Sequence, residues 1–505
     1  MLNLVDRLVD RITMYRLVLY YLAALLAGAF LLGMFRVIAI DPTALAFSAV
    51  VVTFFAWASN TLFARIFGAV PNIESGYITA LILVLILDPP TATNVAGVGV
   101  IVFAAVWAMA SKYVLAARRR HIFNPAALGV ALPGLLLAEP ASWWISTVTP
   151  LLPVMLIGGF LLVRKLRRFD LVLAFAAANL IATFIGSAPS EIPGELRLTL
   201  LESPFFFFAF VMLTEPLTAP QHKIWRLAYG ALVGVLMSPN FHVGSYYFAP
   251  EVALLAGNLV TFAVSPQGRV ILTLERIERA ATEAYDFVFR PDRRLAFAAG
   301  QYLEWTLPLR RPDTRGNRRY FTIASAPTEE SVRLGVKFSA EGSAFKRELA
   351  ELRPGDTIVA SQLAGSFTLP ADRERKLAFI AGGIGITPFR SMLVELLDRD
   401  EPRPIVVLYG IRRSGEIAYR DVLDAAENRL GIPTYYTVAE PDAAEEGMSV
   451  GFVSEAMIRR HVPDFAARTF YVSGPQPMVS AVRHILRGLG VPFWRIKIDF
   501  FPGLA

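Results

Sequence analysis

The chain has 505 residues and not one cysteine. Disulfides, thiolate zinc sites and cysteine-ligated iron–sulfur clusters are therefore excluded. Charged residues make up only 18% of the sequence, and histidine occurs only five times. Because thiolate and imidazole are the usual protein ligands of redox iron, these absences narrow the choice of electron carriers before any motif is considered.

Apolar residues, by contrast, make up 55% of the chain, and the mean hydropathy of +0.49 is too high for an ordinary soluble protein. They are concentrated before residue 265, in runs long enough to cross about 30 Å of hydrocarbon. We predict ten apolar segments, at 15–39, 43–66, 77–88, 95–116, 122–138, 148–163, 170–187, 203–215, 224–238 and 250–264. The polar stretch "SPQGR" at 265–269 then marks the change to a soluble region.

Positive charge is distributed unevenly over the loops between these segments. Lys and Arg cluster in alternate loops, such as 118–120 and 164–168, while the other loops carry mainly Asp and Glu. The positive-inside rule then places both termini and the soluble region in the cytoplasm, at a prokaryotic inner membrane. We attribute the net charge of +7 to this rule and not to nucleic-acid binding. The charged start "MLNLVDRLVDRITMYR" predicts an interfacial segment and not a cleavable signal peptide.

Two proline-containing stretches of the apolar region resemble each other. "LDPPTAT", beginning at Leu87, matches "TEPLTAP", beginning at Thr214, so that Asp88 corresponds to Glu215. "FNPAA" and "FAPEV" match at nearly the same offset, which indicates two repeats of five spans, inverted in the bilayer. Asp88 and Glu215 are candidates either for binding a cation or proton or for capping a helix end. Nearby threonines are expected to satisfy the backbone groups that the prolines free.

These stretches, with "ITALILVLILDPP" and "HIFNPAALG", resemble the membrane subunits B and D of the Nqr and Rnf redox-driven ion pumps. The resemblance implies a ten-helix inverted-repeat domain that binds flavin, either FMN or riboflavin. In that family FMN is attached through its phosphate to a threonine in an S-G-A-T motif. The corresponding stretch here is "STVTP", with Thr149 as the candidate and Asn124 and Thr79 as further flavin contacts; Thr147 and Val148 depart from the motif.

The soluble region contains the run "RYFTIAS", which resembles the flavin signature of the ferredoxin–NADP reductase family. The resemblance implies an FAD-binding barrel in which arginine pairs with the pyrophosphate and an aromatic ring stacks on the flavin. Thr322 would lie near the flavin atom that receives hydride, and is a candidate catalytic residue. The candidate FAD contacts are Arg319, Tyr320, Phe321, Thr322, Gly342, Ser343, Phe500 and Phe501.

A glycine-rich turn follows the apolar strand in "KLAFIAGGIGITPF", as expected of a nucleotide-binding βα unit. Later, "SGPQPM" matches the family's turn beside the nicotinamide, with Ser473 in place of cysteine as a second candidate catalytic residue. The candidate NAD(P) contacts are Gly382, Gly383, Gly385, Thr387, Pro388, Arg412, Arg413, Gly474, Pro475 and Met478. Arg412 and Arg413 suit a 2′-phosphate but also suit a solvated surface, so NADH and NADPH both remain open.

Together these patterns predict a polytopic α-helical membrane domain of about ten spans at 1–265. A six-stranded antiparallel β-barrel FAD domain at 266–370 and an α/β Rossmann-like NAD(P) domain at 371–505 complete the prediction. Haem is not expected, because the histidines of the first domain lie at segment ends and no segment carries two. No metal site is predicted.

The leading functional hypothesis is an NAD(P)H dehydrogenase that passes electrons through FAD to a membrane flavin and on to quinone or another acceptor. Coupling to Na⁺ or H⁺ translocation is compatible with the resemblance. Two alternatives stay open: a transporter of ions or small solutes with a regulatory reductase domain, and a haem-free transmembrane reductase with an external acceptor.

Overall fold

The computed structural model describes residues 12–68, 73–117, 120–264, 268–309, 313, 316–338 and 342–499. The chain divides into two compact units, Met1–Gly268 and Arg269–Ala505. This boundary lies within the polar stretch at 265–269 that the composition had indicated. Each unit has its own hydrophobic core, and we describe them separately.

The first unit is almost entirely helical. Its helices are α1 (Met14–Met34), α2 (Pro42–Ile66), α3 (Ile73–Ile86), α4 (Val95–Val114), α5 (Pro125–Leu136), α6 (Leu152–Leu166), α7 (Phe169–Phe184), α8 (Ile192–Arg197), α9 (Phe205–Phe207), α10 (Lys223–Leu236) and α11 (Pro250–Val264). Of the described helices, those at 14–34, 42–66, 95–114 and 149–166 are long and apolar enough to cross a membrane. Shorter apolar helices occupy most of the other predicted segments.

The two halves of this unit repeat one arrangement. Helix α2 packs on α4 in the first half, as α7 packs on α10 in the second. A two-stranded hairpin precedes the final helix of each half: β1 (Ala116–Ala117) with β2 (Arg120–His121), and β3 (His242–Val243) with β4 (Tyr246–Tyr247). This order is the one expected from the repeated proline motifs.

The two halves differ most in their third apolar segment. In the first half it is the continuous helix α3, whereas the second half has short pieces between 192 and 212, two of them π-helical turns. The sequence predicted only 203–215 here, because Glu191, Glu195 and Arg197 make the preceding stretch look like a loop. Wide turns and breaks of this kind are frequent near functional sites.

Helix α3 ends inside the unit, and its last carbonyl groups need donors. The indole Nε1 of Trp144 donates to Val84 O at 3.1 Å and to Leu87 O at 3.0 Å. Ile86 O accepts from the hydroxyl of Ser142 and from the backbone N–H of Trp143. The expectation that threonines would satisfy this helix end is therefore wrong. The donors come from a segment some 55 residues later in the chain.

The second unit begins with an antiparallel sheet. Its strands are β5 (Val270–Ala281), β6 (Ala284–Pro291), β7 (Tyr302–Thr306), β8 (Arg318–Thr322), β9 (Val332–Lys337) and β10 (Thr357–Ala364), with helix α12 (Ala344–Ala350) between the last two. The six strands form one curled sheet in the order β8-β7-β10-β5-β6-β9. The prediction of six antiparallel strands is confirmed, but β8 and β9 are edge strands and the sheet is a curled half-barrel.

A parallel sheet follows, with helices on both faces. Its strands are β11 (Leu377–Gly382), β12 (Ile405–Ile411), β13 (Thr434–Val438), β14 (Ser449–Val450), β15 (Thr469–Ser473) and β16 (Ile496–Asp499), ordered β14-β13-β12-β11-β15-β16. Helices α13 (Thr387–Asp398) and α14 (Arg420–Leu430) cover one face. Helices α15 (Glu455–His461) and α16 (Gln476–Gly488) cover the other. Strands β11 and β12 are buried on both faces and read as continuous apolar runs, as expected for such a sheet.

The capping of α3 can be tested with Trp144→Phe, which keeps an aromatic ring but removes the indole N–H. Loss of a buried donor should lower the stability of the unit by about 1–3 kcal/mol. The melting temperature of the detergent-solubilised chain should then fall by roughly 2–4 °C for each kcal/mol.

Trp107→Phe is the matched control, because the buried Nε1 of Trp107 has no hydrogen-bond partner among the described residues. This variant should melt at the wild-type temperature or slightly above it. An equal decrease in melting temperature in the two variants would mean that the smaller ring, and not the loss of the helix cap, lowers the stability.

Candidate functional site

The carboxyl ends of β11 and β15 meet over a cradle of glycines. A Cβ atom on Gly385 would lie 2.6 Å from the backbone of Gly474, and one on Gly382 would lie 2.0 Å from Met478 Sδ. A Cβ atom on Gly474 would lie 3.1 Å from the backbone of Gly382. A larger side chain at these positions would clash with the protein, so glycine allows the strand ends and the following turns to pack closely, as in dinucleotide-binding βα units.

The start of α13 completes this nucleotide site. Gly383 has φ +52, which favours glycine, and space is open around its Cα. Thr387 begins the helix and Pro388 occupies its first turn, where no amide donor is lost. The amide groups of this turn point towards the cradle's edge of the sheet, as in phosphate-binding βα units. Pro475, on the other side of the cradle, caps α16.

Strand β8 carries the flavin signature with alternating side chains. The guanidinium of Arg319 lies 5.4 Å from the ring centroid of Phe345, and the ring of Phe321 packs 5.8 Å from the same ring. Tyr320 points to the other side, where its hydroxyl donates to the buried carboxylate of Glu304 at 3.0 Å. Arg319 and Phe321 therefore share one face of the sheet, as pairing with a flavin pyrophosphate and stacking on its ring require.

An oxyanion fits between Arg319 and the start of α12. The carboxylate of Asp313 lies 4.0 Å from Arg319 Nη2 and accepts a hydrogen bond from the Ala344 amide at 2.8 Å. Ser343 caps the helix through its hydroxyl, and Gly342 precedes it. The residues predicted for the FAD phosphates therefore lie together, around a place where a negatively charged group is already accommodated.

The candidate catalytic residues Thr322 and Ser473 both lie next to Asp499, which the sequence patterns did not single out. The hydroxyl of Thr322 donates to Asp499 Oδ2 at 3.3 Å, and Asp499 is the register partner of Ser473 in the parallel sheet. Strand β16 thus brings a carboxylate to the junction between the curled sheet and the nucleotide cradle. Phe500 and Phe501, predicted to cover the flavin, lie outside the described residues.

Buried polar contacts hold the curled sheet to the parallel sheet. Tyr419 donates to Asp286 at 2.5 Å, and burial raises the pKa of Asp286 above its ordinary value. Arg390 on α13 contacts Ala324 O and forms two hydrogen bonds with Glu329. Burial acts to raise the pKa of Glu329, but the hydrogen bonds and charge of Arg390 hold it below the usual range. The two sheets are therefore fixed relative to each other at the site.

Arg412 and Arg413 follow β12 on the nucleotide side of the parallel sheet. Both pair with one carboxylate: Arg412 Nε lies 2.6 Å from Glu440 Oε1, and Arg413 Nε lies 2.5 Å from Glu440 Oε2. Hydrogen bonds from Arg413 and then Arg412 lower the pKa of Glu440. Glu440 stands two residues after β13, and no local sequence motif marks it because its pairing depends on β13 lying next to β12 in the sheet.

The first unit contains a chain of polar contacts among apolar helices. Asn124, predicted as a flavin contact, donates its backbone N–H to Asn258 Oδ1 at 2.8 Å, and Asn258 Nδ2 donates to Thr218 O at 3.3 Å. Thr218 donates to Glu215 at 2.9 Å, and Glu215 Oε1 lies 3.5 Å from His121 Nε2. These five residues, which we call the polar cluster, join the two repeats around Glu215.

The other membrane candidates lie in different surroundings. Thr79 is buried and accepts a hydrogen bond from Lys112 Nζ at 3.2 Å, while Lys112 also donates to Ser75. Thr149 begins a helical segment with its side chain exposed, and Asp88 is exposed as well. Among the described residues, no hydrogen bond joins Thr149 to Thr79 or to Asn124. No cluster of metal-ligating side chains is found in the part of the chain that the structure describes.

Two family models match the chain. Residues 145–266 match the NQR2, RnfD, RnfE family, and residues 379–484 match the oxidoreductase NAD-binding domain. The first match begins just before Thr149, and the second covers the glycine cradle.

A curated relative covers the second unit. The flavohemoprotein of Pseudomonas putida is 31% identical over 281 residues, which are 55% of this chain and 67% of that protein. The chain belongs to the flavohemoprotein family through its second half. This half is therefore an NAD(P)H-dependent flavin oxidoreductase that binds FAD, and we call it the reductase unit. In the unit joined to it, residues 145–266 are similar to the NQR2, RnfD, RnfE family.

The chain is also similar to other reductases and to solved structures. The stachydrine N-demethylase reductase subunit Stc4 of Rhizobium meliloti is 31% identical over 193 residues, 37% of this chain and 55% of that protein. The chain spans 51–67% of the length of the curated relatives it matches. Flavohemoglobin of Malassezia yamatoensis, with FAD and heme bound, is similar with a TM-score of 0.44 and 18% identity, covering 70% of this chain and 97% of that one. An Amycolatopsis cytochrome P450 reductase matches with a TM-score of 0.42 and 23% identity, covering 47% and 71% of the chains.

The Thr322–Asp499 contact predicts the effect of Asp499→Asn. Hydride leaving NAD(P)H creates positive charge on the nicotinamide, and a nearby carboxylate stabilises it. Removing that charge should slow flavin reduction in anaerobic stopped-flow experiments on the order of ten- to a hundredfold, as for other preorganised electrostatic groups.

Glu427→Gln, which neutralises an exposed carboxylate on α14, is the control and should reduce its flavin at the wild-type rate. An Asp499→Asn chain that reduces flavin as fast as this control would remove Asp499 from the site.

Proposed function

We propose that the chain is a membrane-embedded NAD(P)H dehydrogenase. Electrons enter at the reductase unit through FAD, pass to a flavin in the first unit and leave to quinone or another acceptor. The observation that carries the proposal is the meeting of Thr322, Asp499 and the glycine cradle in a chain that also contains an NQR2-type unit. A hydride-accepting site joined to a redox-family membrane unit is best explained by electron transfer between them.

In the reductase unit, bound FAD would take a hydride from NAD(P)H and release its electrons one at a time. Arg319 and the start of α12 hold the negative charge of the FAD pyrophosphate. Gly382, Gly385 and Gly474 admit the pyrophosphate of NAD(P)H. Thr322 and Ser473 flank the place where the two rings meet, and Asp499 sets a negative charge beside it.

In the first unit, Thr149 is the proposed attachment point of FMN through its phosphate. Its hydroxyl is exposed at the start of a continuous helical segment. Thr147, two residues earlier, differs because its hydroxyl donates to Trp144 O. Asn124 and Thr79 are retained as proposed contacts of a membrane flavin.

If ion translocation accompanies electron transfer, Glu215 is the stronger of the two acidic candidates. Glu215 is half-buried within the polar cluster beside His121, whereas the side chain of Asp88 is exposed to solvent in this structure. An ionisable group among apolar helices is costly and is usually retained for function. We further propose ten spans in two inverted repeats with cytoplasmic termini, in which Glu215 lies towards the cytoplasm.

NADH is the proposed substrate in preference to NADPH. Glu440 already neutralises both arginines that would otherwise receive a 2′-phosphate. Since its lowered pKa keeps Glu440 ionised, a 2′-phosphate would have to displace a charged partner. A ribose hydroxyl meets no such competition.

The function is tested by the flavin content of the purified chain. Acid precipitation should release FAD, while a second flavin should remain on the protein and add the mass of FMN to a peptide that contains Thr149. Thr149→Val should lose this bound flavin and keep FAD. Thr147→Val, the matched control, should keep both. Finding FAD alone in the wild-type chain would contradict the membrane carrier.

The cofactor preference is tested by Glu440→Gln, which should raise kcat/KM for NADPH relative to NADH about tenfold, through charge-assisted hydrogen bonds to the freed arginines. Glu445→Gln, which breaks the comparable pair with Arg420, should leave the ratio unchanged. The ion pairs of Glu440 are fully formed above the usual carboxyl pKa range. They are lost only as the pH falls through the lowered pKa of Glu440. The wild-type ratio should therefore stay constant between about pH 7 and pH 8, where the 2′-phosphate is also largely ionised. A ratio that does not move in Glu440→Gln would exclude this role.

A further inference from the structure

The two faces of the parallel sheet carry opposite charge. Helices α13 and α14 contain three arginines and five acidic residues. Helices α15 and α16, with the short turn Phe493–Arg495 that follows them, contain five arginines and one glutamate. Neither helical face binds the nucleotide, which lies at the carboxyl ends of the strands, so this asymmetry is not explained by the reductase reaction.

Several arginines of the second face have no acidic partner. Arg459 pairs with Glu455, but no carboxylate of the described residues pairs with Arg460, Arg483 or Arg487, all of which are exposed. Solvent-exposed arginines without counter-ions keep their full charge and their planar donor geometry. Such groups suit phosphate recognition.

Two large aromatic side chains are exposed in the turn that follows α16. Phe493 is 69% exposed and Trp494 is 68% exposed, and their rings pack edge to face with centroids 5.1 Å apart. They occupy the turn between α16 and β16, at the amino end of the last strand and thus opposite the hydride site. An exposed pair of this size costs free energy in water unless another apolar surface covers it.

Aromatic and arginine side chains together match the chemistry of a bilayer interface. Tryptophan is favoured at the level of the lipid headgroups, phenylalanine inserts at the boundary between headgroups and acyl chains, and arginine is attracted to anionic headgroups. Only residues 265–269 separate the end of α11 from the start of β5, a span of at most about 20 Å when extended. If α11 lies in a membrane, the reductase unit is always near its surface.

We propose that this basic aromatic face, defined by Arg460, Arg483, Arg487, Phe493 and Trp494, binds the surface of an anionic bilayer. Phe493 and Trp494 enter the headgroup region while the arginines contact lipid phosphates. The inference rests on the proposed function, in which the first unit spans the membrane and the reductase unit lies on its cytoplasmic side. It adds a second attachment to the bilayer besides the covalent link.

The absence of cysteine makes the test direct, because a single introduced cysteine can be labelled without background. The full chain carrying Phe493→Cys with a nitroxide label is placed in nanodiscs of phosphatidylglycerol and phosphatidylcholine in equal parts. Power saturation should show the label several-fold more accessible to oxygen than to a water-soluble nickel complex. Glu427→Cys, on the acidic face, should show the reverse.

Charge is tested by adding Arg483→Glu and Arg487→Glu to the Phe493→Cys chain, or by using phosphatidylcholine alone. Either change should return the label to water and reverse its accessibility ratio. All variants should reduce ferricyanide with NADH at the wild-type rate, since none of these residues lies at the hydride site.

The outcomes separate the inference from the function on which it rests. If the chain enters nanodiscs and reduces ferricyanide, but labels at 493 and 427 are equally exposed to nickel, bilayer binding is wrong and the dehydrogenase function stands. A label at 493 shielded from both oxygen and nickel would mean that a protein surface covers this face, which also overturns the proposal. A chain that does not enter nanodiscs would contradict both.

Discussion

A helix that ends among apolar side chains leaves backbone carbonyl groups that need hydrogen-bond donors. The first unit depends on the donors that one such helix end receives. Helix α3 ends at Ile86, and Trp144 supplies an indole N–H to two of its last carbonyls. The carbonyls of Val84 and Leu87 therefore have a donor where the proline stretch leaves the helix. The helix end also ties the middle of the first repeat to the segment that contains Thr149, so the proposed flavin attachment is held by the same contacts.

The reductase unit also has a packing constraint, and glycine residues satisfy it. Backbone must approach backbone between β11 and β15, and the Cβ of any other residue would clash there. The buried contacts of Tyr419 and Arg390 then fix the curled sheet against the parallel sheet. Because both sheets are held in this way, Thr322 and Ser473 can meet through Asp499 although they come from different sheets.

Much of this arrangement could be predicted from local patterns. The apolar runs placed most helices within a few residues, and the glycine turn and the "RYFTIAS" run indicated the two candidate nucleotide sites. Contacts between distant residues could not be predicted in this way. Asp499 reaches Thr322 across 177 residues, and Trp144 reaches Leu87 across 57. Glu440 was missed because its role depends on the order of strands in the sheet, which a single motif does not encode. The helical pieces at 192–202 were missed because their charges resemble those of a loop.

The central claim is that hydride accepted in the reductase unit becomes an electron supply for a flavin in the first unit. It is tested most directly by mixing the full chain in nanodiscs with NADH under anaerobic conditions and following flavin absorbance. The account predicts two flavins per chain, with FAD reduced first and the second flavin reduced in a later phase that Thr149→Val abolishes. Reduction of a single flavin in one phase, unchanged by Thr149→Val, would contradict it.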